Sequence, residues 1–370
     1  MAVEAGEHVL RAERTHATAA EPRLLGKETP FVDRERELAR LLDEVEGVSE
    51  ARRASASVVL GEAGIGKSRL RFELLQHLEA SHVPPRVLFL RGDPMLAGVP
   101  LGALAQALRL RVGFTPEQDD AARRAAFDGF VRAHGVEAHA EALGELVGVG
   151  GEASALLRSL RSDAAGMAAA LRDAALAVLS RWVEDRPLLV VVDDLQWLDG
   201  RTVDVLGVAL ERLPFALVAF GRPSARERFP AIWDARRPAR FELKPLGDEA
   251  ATRLVRHVMD EAPDALVASI VERAQGNPLF IEELVRAAAQ GDAAELPLAI
   301  HAAFQVRIDA LPAPARRTLL AASVAGRVLW SDALSALLAD ERVDVEQSLE
   351  ALLQSETLLE RPRSRFAGTR

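Results

Sequence analysis

The stretch VVLGEAGIGKSRL, residues 58–70, restricts the fold more than any other part of the chain. An apolar run of strand type meets a glycine-rich turn, and a helical pattern starts directly behind it. Gly61, Glu62, Ala63, Gly64, Ile65, Gly66, Lys67 and Ser68 fit the spacing G-x-x-x-x-G-K-[ST]. Glycine admits positive φ, so successive backbone N–H groups can turn toward one centre. The helix that follows, SRLRFELLQHL, points the positive end of its dipole at the same place. A chain of phosphates suits such a cradle. Lys67 would reach the β- and γ-phosphates, Ser68 would give an oxygen to Mg²⁺, and Arg69 would also take part in binding the nucleotide. Composition sharpens the reading. Of 46 basic residues only Lys27, Lys67 and Lys244 are lysines, and one of them stands in the turn.

A triphosphate with its metal needs a carboxylate on the opposite side. Leu188–Val192 is a continuous apolar run, of the kind buried on both faces of a parallel sheet, and it ends in Asp193-Asp194. Asp193 is placed to bind Mg²⁺, directly or through water, and Asp194 to polarise an attacking water. Downstream, Asp199 suits the cap of the next helix, and Trp197 reads as a packing residue near the site. Four further strand candidates, Ser57–Leu60, Val87–Leu90, Phe215–Phe220 and Phe241–Leu243, alternate with helical patterns. The sum is an α/β fold with right-handed crossovers. Residues 100–186 read as a helical insertion between the second and third strands. After Leu246 helical patterns follow, broken at Gly276-Asn277-Pro278, and the closing stretch ETLLERPRSRFAGTR reads as a small β-wing.

The net charge of −9 argues against general attraction to nucleic acid. The absence of cysteine excludes disulfides, thiolate zinc sites and cysteine nucleophiles. The first thirty residues mix charges and hold no apolar core of signal-peptide length, and no run is long enough to span a bilayer. A cytoplasmic protein without membrane partners is the expectation. His134 and His139 are five apart, off any common helical face, and no third metal ligand accompanies them.

The segments ETPFVDRERELARLLDEVEG, GEAGIGKSRL, LLVVVDDLQWLD and GNPLFIEELVRA, in this order, resemble the STAND class of AAA-related signal-transduction ATPases. Within it they are similar to bacterial modules likened to the origin-recognition ATPase. The resemblance implies a P-loop NTPase with a five-stranded parallel sheet of order 5-1-4-3-2, a helical lid and a partial winged-helix domain. It implies a flexible tail or linker at 1–27, a nucleotide-binding domain at 28–247, a lid at 248–296 and a truncated winged-helix-like domain at 297–370. Arg34 would lie by the adenine, although the family usually carries glycine where this chain has Asp33. Arg222 would face the γ-phosphate as a sensor, and Pro278 would rest against the nucleotide from the lid. The family often has glutamate where Asp194 stands, so hydrolysis is expected to be slow. The segment LLGKETPF also resembles the junction after a kinase domain in large bacterial serine/threonine kinases, although no kinase motif is present.

The leading expectation is an ATP/ADP switch with Mg²⁺ and weak ATPase activity (ATP to ADP and phosphate), regulating a signalling or transcriptional output. Its partners would be the nucleotide, a protein or output domain of unknown identity, and in ATP-dependent assembly further copies of itself. A small-molecule phosphotransferase built on the same P-loop and a DNA-bound initiator are the alternatives. Arg361, Arg363, Arg365 and Arg370 would gather on the wing, yet nucleic acid is not the expected partner.

Overall fold

The computed structural model describes residues 23–115, 118–149, 158–159, 162–229, 238–289, 308, 311–325, 331–338, 344–354 and 357–358. The chain enters through a short antiparallel hairpin, β1 (Arg23–Leu24) and β2 (Lys27–Glu28). Residues 23–27, placed by the sequence reading in a flexible tail or linker, are thus in regular structure, and Leu24 is fully buried. The long helix α1 (Glu35–Ala51) follows, with Leu38, Leu41, Val45 and Val48 turned inward at helical spacing.

Five parallel strands build the central sheet: β3 (Ser55–Leu60), β4 (Arg86–Arg91), β5 (Leu188–Asp193), β6 (Ala216–Gly221) and β7 (Ala239–Glu242). They lie in the order β4-β5-β6-β3-β7. The hairpin takes the first two labels, so counted within the sheet this is the expected order 5-1-4-3-2. Helix α2 (Lys67–Glu79) follows β3. Between β4 and β5 run α3 (Gly102–Val112), α4 (Asp120–His134), α5 (Ala140–Val147) and α6 (Ala164–Asp185). Helix α7 (Gly200–Arg212) follows β5, and the single turn α8 (Ala225–Arg228) follows β6.

The unbroken apolar run of β5 now has its reason. Leu189 and Val191 pack with α1 and α2, against Leu41, Leu70 and Leu74. Leu188, Val190 and Val192 belong to the other face, with Leu104, Leu179 and Leu206 of α3, α6 and α7. Burying each such side chain contributes about 1.5–3 kcal/mol, so a strand without alternation is stable only when helices cover both faces. The C-terminal edge of the sheet collects Gly61, Asp193 and Arg222, the place where open α/β sheets receive ligands.

Beyond the sheet, α9 (Asp248–Val258), α10 (Asp264–Ala274) and α11 (Pro278–Ala289) form a second apolar cluster around Leu254, Ile270, Ile281 and Leu284. Leu24 of the hairpin belongs to this cluster, which ties the entry of the chain to the helices after the sheet. Among the described residues three more helices follow, α12 (Ala313–Ala325), α13 (Ser331–Leu337) and α14 (Val345–Gln354), and Leu311, Ala315 and Leu352 share a small core. The four wing arginines lie outside the described residues.

Candidate nucleotide site

β3 ends at Leu60, and the Gly61 N–H donates to the Gly221 carbonyl at the end of β6 (3.1 Å). This fixes the start of the turn between two adjacent strands. Gly64 and Gly66 have φ of 79° and 101°, so the turn has the left-handed backbone that its spacing called for. Lys67 lies back across the turn, and its Nζ donates to the carbonyls of Gly61 and Glu62, both at 2.7 Å. Its ammonium is held below its ordinary pKa of 10.5, first by burial and then by the Arg222 guanidinium; Asp194, Asp193 and Glu62 act in the opposite sense. Arg222, Asp193 and Asp194 therefore stand within electrostatic reach of Lys67. Two cations brought toward a glycine turn and a helix N-terminus oppose each other and suit a polyanion.

The two aspartates have different surroundings. Asp193 Oδ2 accepts a 2.6 Å hydrogen bond from Arg71 Nη1, an ion pair between side chains 18% and 15% exposed. Asp194 has φ of 55° and accepts from Gln196 Nε2 at 3.0 Å. The other end of that amide, Gln196 Oε1, accepts from the Arg222 N–H at 2.9 Å. One buried glutamine thus joins the end of β5 to the residue that follows β6.

The segment after α10 docks on the glycine turn from outside. Asn277 Nδ2 donates to the Ala63 carbonyl (3.1 Å), and the Leu279 N–H donates to the Gly64 carbonyl (3.2 Å). A Cβ on Gly64 would come within 2.8 Å of both Asn277 Oδ1 and Leu279 Cβ, and one on Gly66 would meet Pro278 Cγ at 3.8 Å. Gly276 is needed for a similar reason. At φ of 72° its absent Cβ would lie 2.3 Å from the Leu246 carbonyl oxygen.

The family model described as AAA ATPase domain matches residues 30–220, from the entry segment to the end of β6. The chain belongs to this AAA ATPase family. An uncharacterized protein of Rhizobium meliloti (strain 1021) is 30% identical over 345 residues, covering 84% of this chain and 31% of the relative. The chain thus spans under a third of that relative's length. The STAND protein with a tetratricopeptide repeat sensor, PH0952 from Pyrococcus horikoshii, aligns with a TM-score of 0.51 at 14% identity. That alignment covers 93% of this chain and 41% of the other. The Aeropyrum pernix ORC1 protein in complex with DNA aligns with a TM-score of 0.46 at 15% identity, over 90% and 86% of the two chains.

Nucleotide binding comes with the AAA ATPase family, and the site residues expected from sequence fall into two groups. Gly61, Glu62, Ala63, Gly64, Ile65, Gly66, Lys67, Ser68, Asp193, Asp194 and Arg222 gather at one end of the sheet, and Pro278 reaches the turn from α11. Ser68, in the first turn of α2, is exposed. Two side chains point to other tasks. Arg69 donates to Thr29 Oγ1 and the Thr29 carbonyl and bonds Glu73, so it straps α2 to the entry segment. Arg34 is buried, and its guanidinium donates to the carbonyls of Asp33 and Lys244. Asp33 takes φ of 58°, the backbone that a glycine there would adopt freely. Trp197 is 38% exposed, a finding that differs from the expected packing role.

Of the two residues expected to hold the metal, Ser68 is exposed and the Asp193 carboxylate already receives Arg71 at Oδ2. Sequence reading passed over Arg71, Gln196 and Asn277. The LQW and GNP segments carried the signal for the last two. Arg71 gave none, since an arginine inside RLRFELL reads as a helix surface.

Proposed function

We propose that this AAA ATPase domain is an ATP/ADP-operated switch in which α9–α11 respond to the nucleotide through the glycine turn. The carrying observation is the pair of hydrogen bonds from Asn277 and Leu279 to the carbonyls of Ala63 and Gly64. A turn that closes its amides around phosphates moves its carbonyls too, and those carbonyls hold the helical segment. Lys67 and Arg222 bind the β- and γ-phosphates, Ser68 and the remaining oxygen of Asp193 would hold Mg²⁺, and Asp194 orients the attacking water. When bound, Mg²⁺ neutralises charge that develops on the phosphoryl group. Gln196 fixes the Asp194 carboxylate against the Arg222 backbone, so loss of the γ-phosphate at Arg222 is felt at Asp194. ATP and ADP act as different signals only if they bind the two states with different free energies.

In this reading residues 28–247 are the nucleotide-binding module, 248–296 the lid, and α12–α14 the helical part of a winged-helix domain passing the signal onward. Titration with ATP, ADP and GTP, followed by sizing and limited proteolysis of each complex, tests the proposal. Distinct proteolysis between the ATP and ADP forms at α9–α11 is the expected result. Identical patterns at saturating ATP and ADP would rule out a switch.

A further inference from the structure

Resting on that nucleotide site, we propose that Arg71 occupies part of the metal's place on Asp193, so that the chain binds ATP with little dependence on Mg²⁺. Helix α2 sets Arg71 three residues after Ser68 and four after Lys67, on the side of the helix that carries both. Its Nη1 stands 2.6 Å from Asp193 Oδ2. The guanidinium also lies over the Phe89 ring, 5.0 Å from its centroid. Phe89 is in β4, whose Arg91 is paired in register with Asp193 of β5. A charge-assisted hydrogen bond with little exposure, braced by an aromatic face, is not a loose surface pair.

The consequence follows from charge and geometry. Mg²⁺ demands about six oxygens at ~2.0–2.1 Å and gives up its waters reluctantly. An Asp193 whose Oδ2 is bound to a guanidinium has most of its charge compensated and offers the metal one oxygen beside a fixed cation. Arg71 therefore weakens the protein's hold on Mg²⁺. By cancelling the Asp193 charge, the same guanidinium removes a repulsion that metal-free ATP would meet beside Lys67 and Arg222, which strengthens the hold on metal-free ATP. Arg71 is a positioning residue: it acts through Asp193 and sets how much of the binding depends on the metal.

The test is calorimetric titration of the whole chain with ATP in excess Mg²⁺ and in EDTA, for the parent, Arg71→Gln and Arg71→Lys. Parent affinities with and without metal should agree within about threefold, and Arg71→Gln should favour Mg-ATP by about tenfold or more. Arg71→Lys keeps the charge but loses the planar fork, should fall between them, and serves if the glutamine variant does not fold. A merely structural arginine would lower both affinities together and leave their ratio alone. A parent that prefers Mg-ATP by about tenfold, or variants with the parent's ratio, overturns the proposal. A parent that binds no ATP under either condition overturns the nucleotide reading as well, so the two failures are distinct.

Discussion

Two helices begin beside one another, α2 behind Gly66 and α11 at Pro278, each preceded by a glycine with left-handed φ. Their N-termini are finished differently. Asn277 Oδ1 accepts from the Leu279 and Phe280 N–H groups (3.1 and 3.4 Å), so α11 is capped by its own chain. Helix α2 starts from Gly66 with no side-chain cap. Asp199 shows the capped case at its fullest. It accepts from the Thr202 N–H and hydroxyl of α7 and also from the Leu101 and Ala103 N–H groups at the start of α3. A glycine turn ahead of a helix is therefore not in itself a ligand seat. The uncapped helix beside Lys67 and Arg222 leaves its first amides to a partner from outside, whereas the capped one has its partner built in.

Removing the cation is the strongest way to break this contrast. Lys67→Ala should weaken ATP binding by about 10–100-fold, since hydrogen bonds to charged groups contribute about 1.5–3 kcal/mol. Helix α2 itself should stay folded, as judged by circular dichroism. Parent-like affinity in calorimetry would mean that the uncapped end is not where the phosphates sit. Next in size is Gly64→Ala. A left-handed alanine costs about 1–2 kcal/mol, and its Cβ also pushes on Asn277 and Leu279 at 2.8 Å. Urea unfolding should show a loss of about 2 kcal/mol and proteolysis should show α11 released. An unchanged midpoint would mean that the two turns do not bear on each other.

The sequence was readable wherever one residue type answers to one physical demand. Glycine spacing gave the turn, unbroken apolar runs gave the two-faced sheet, and an acidic pair at the end of such a run, beside that turn, pointed to a polar edge. Asp199 was readable as a cap of α7, because a cap is local. Its second role at Leu101, 98 residues back, depends on how α3 returns to the sheet and has no local signal. The same holds for Arg71. In a chain with 46 basic residues, nothing in RLRFELL separates the arginine that meets Asp193 from the one that straps Thr29. Only the crossover from β3 to β4, which carries α2 past β5, tells them apart. The hairpin at residues 23–28 escaped because its one buried side chain, Leu24, is covered by helices more than 200 residues later.

Asn277 allows the contrast to be sharpened, because it does two jobs with two atoms. Asn277→Ala should cost about 1 kcal/mol through the lost cap of α11. Asn277→Asp keeps the capping oxygen and loses the donor to the Ala63 carbonyl. Its stability should stay near the parent's, while the difference between ATP and ADP in protease sensitivity should shrink. If the aspartate variant retains the full difference, the Asn277–Ala63 bond does not carry the nucleotide signal.

The smallest effect expected is one of pH. Lys67 is held below 10.5 by burial and Arg222, so the folded chain gives up this proton before the unfolded chain does. Its unfavourable contribution to stability is present while the lysine is charged. It falls away as pH rises through the lowered folded-state value toward 10.5. Bound phosphates act in the opposite sense, because they favour the ammonium. ATP binding should therefore take up protons on the alkaline side, and affinity should begin to fall below the ordinary lysine value. Calorimetric enthalpies in buffers of different ionisation heat measure that uptake, and Lys67→Arg, which stays charged, should abolish it. The capped turn supplies the internal control. The Asn277 amide does not titrate, so protease sensitivity of α11 in the nucleotide-free protein should stay level across the same pH range. A fall in parallel with ATP affinity would show that the two turns titrate as one unit.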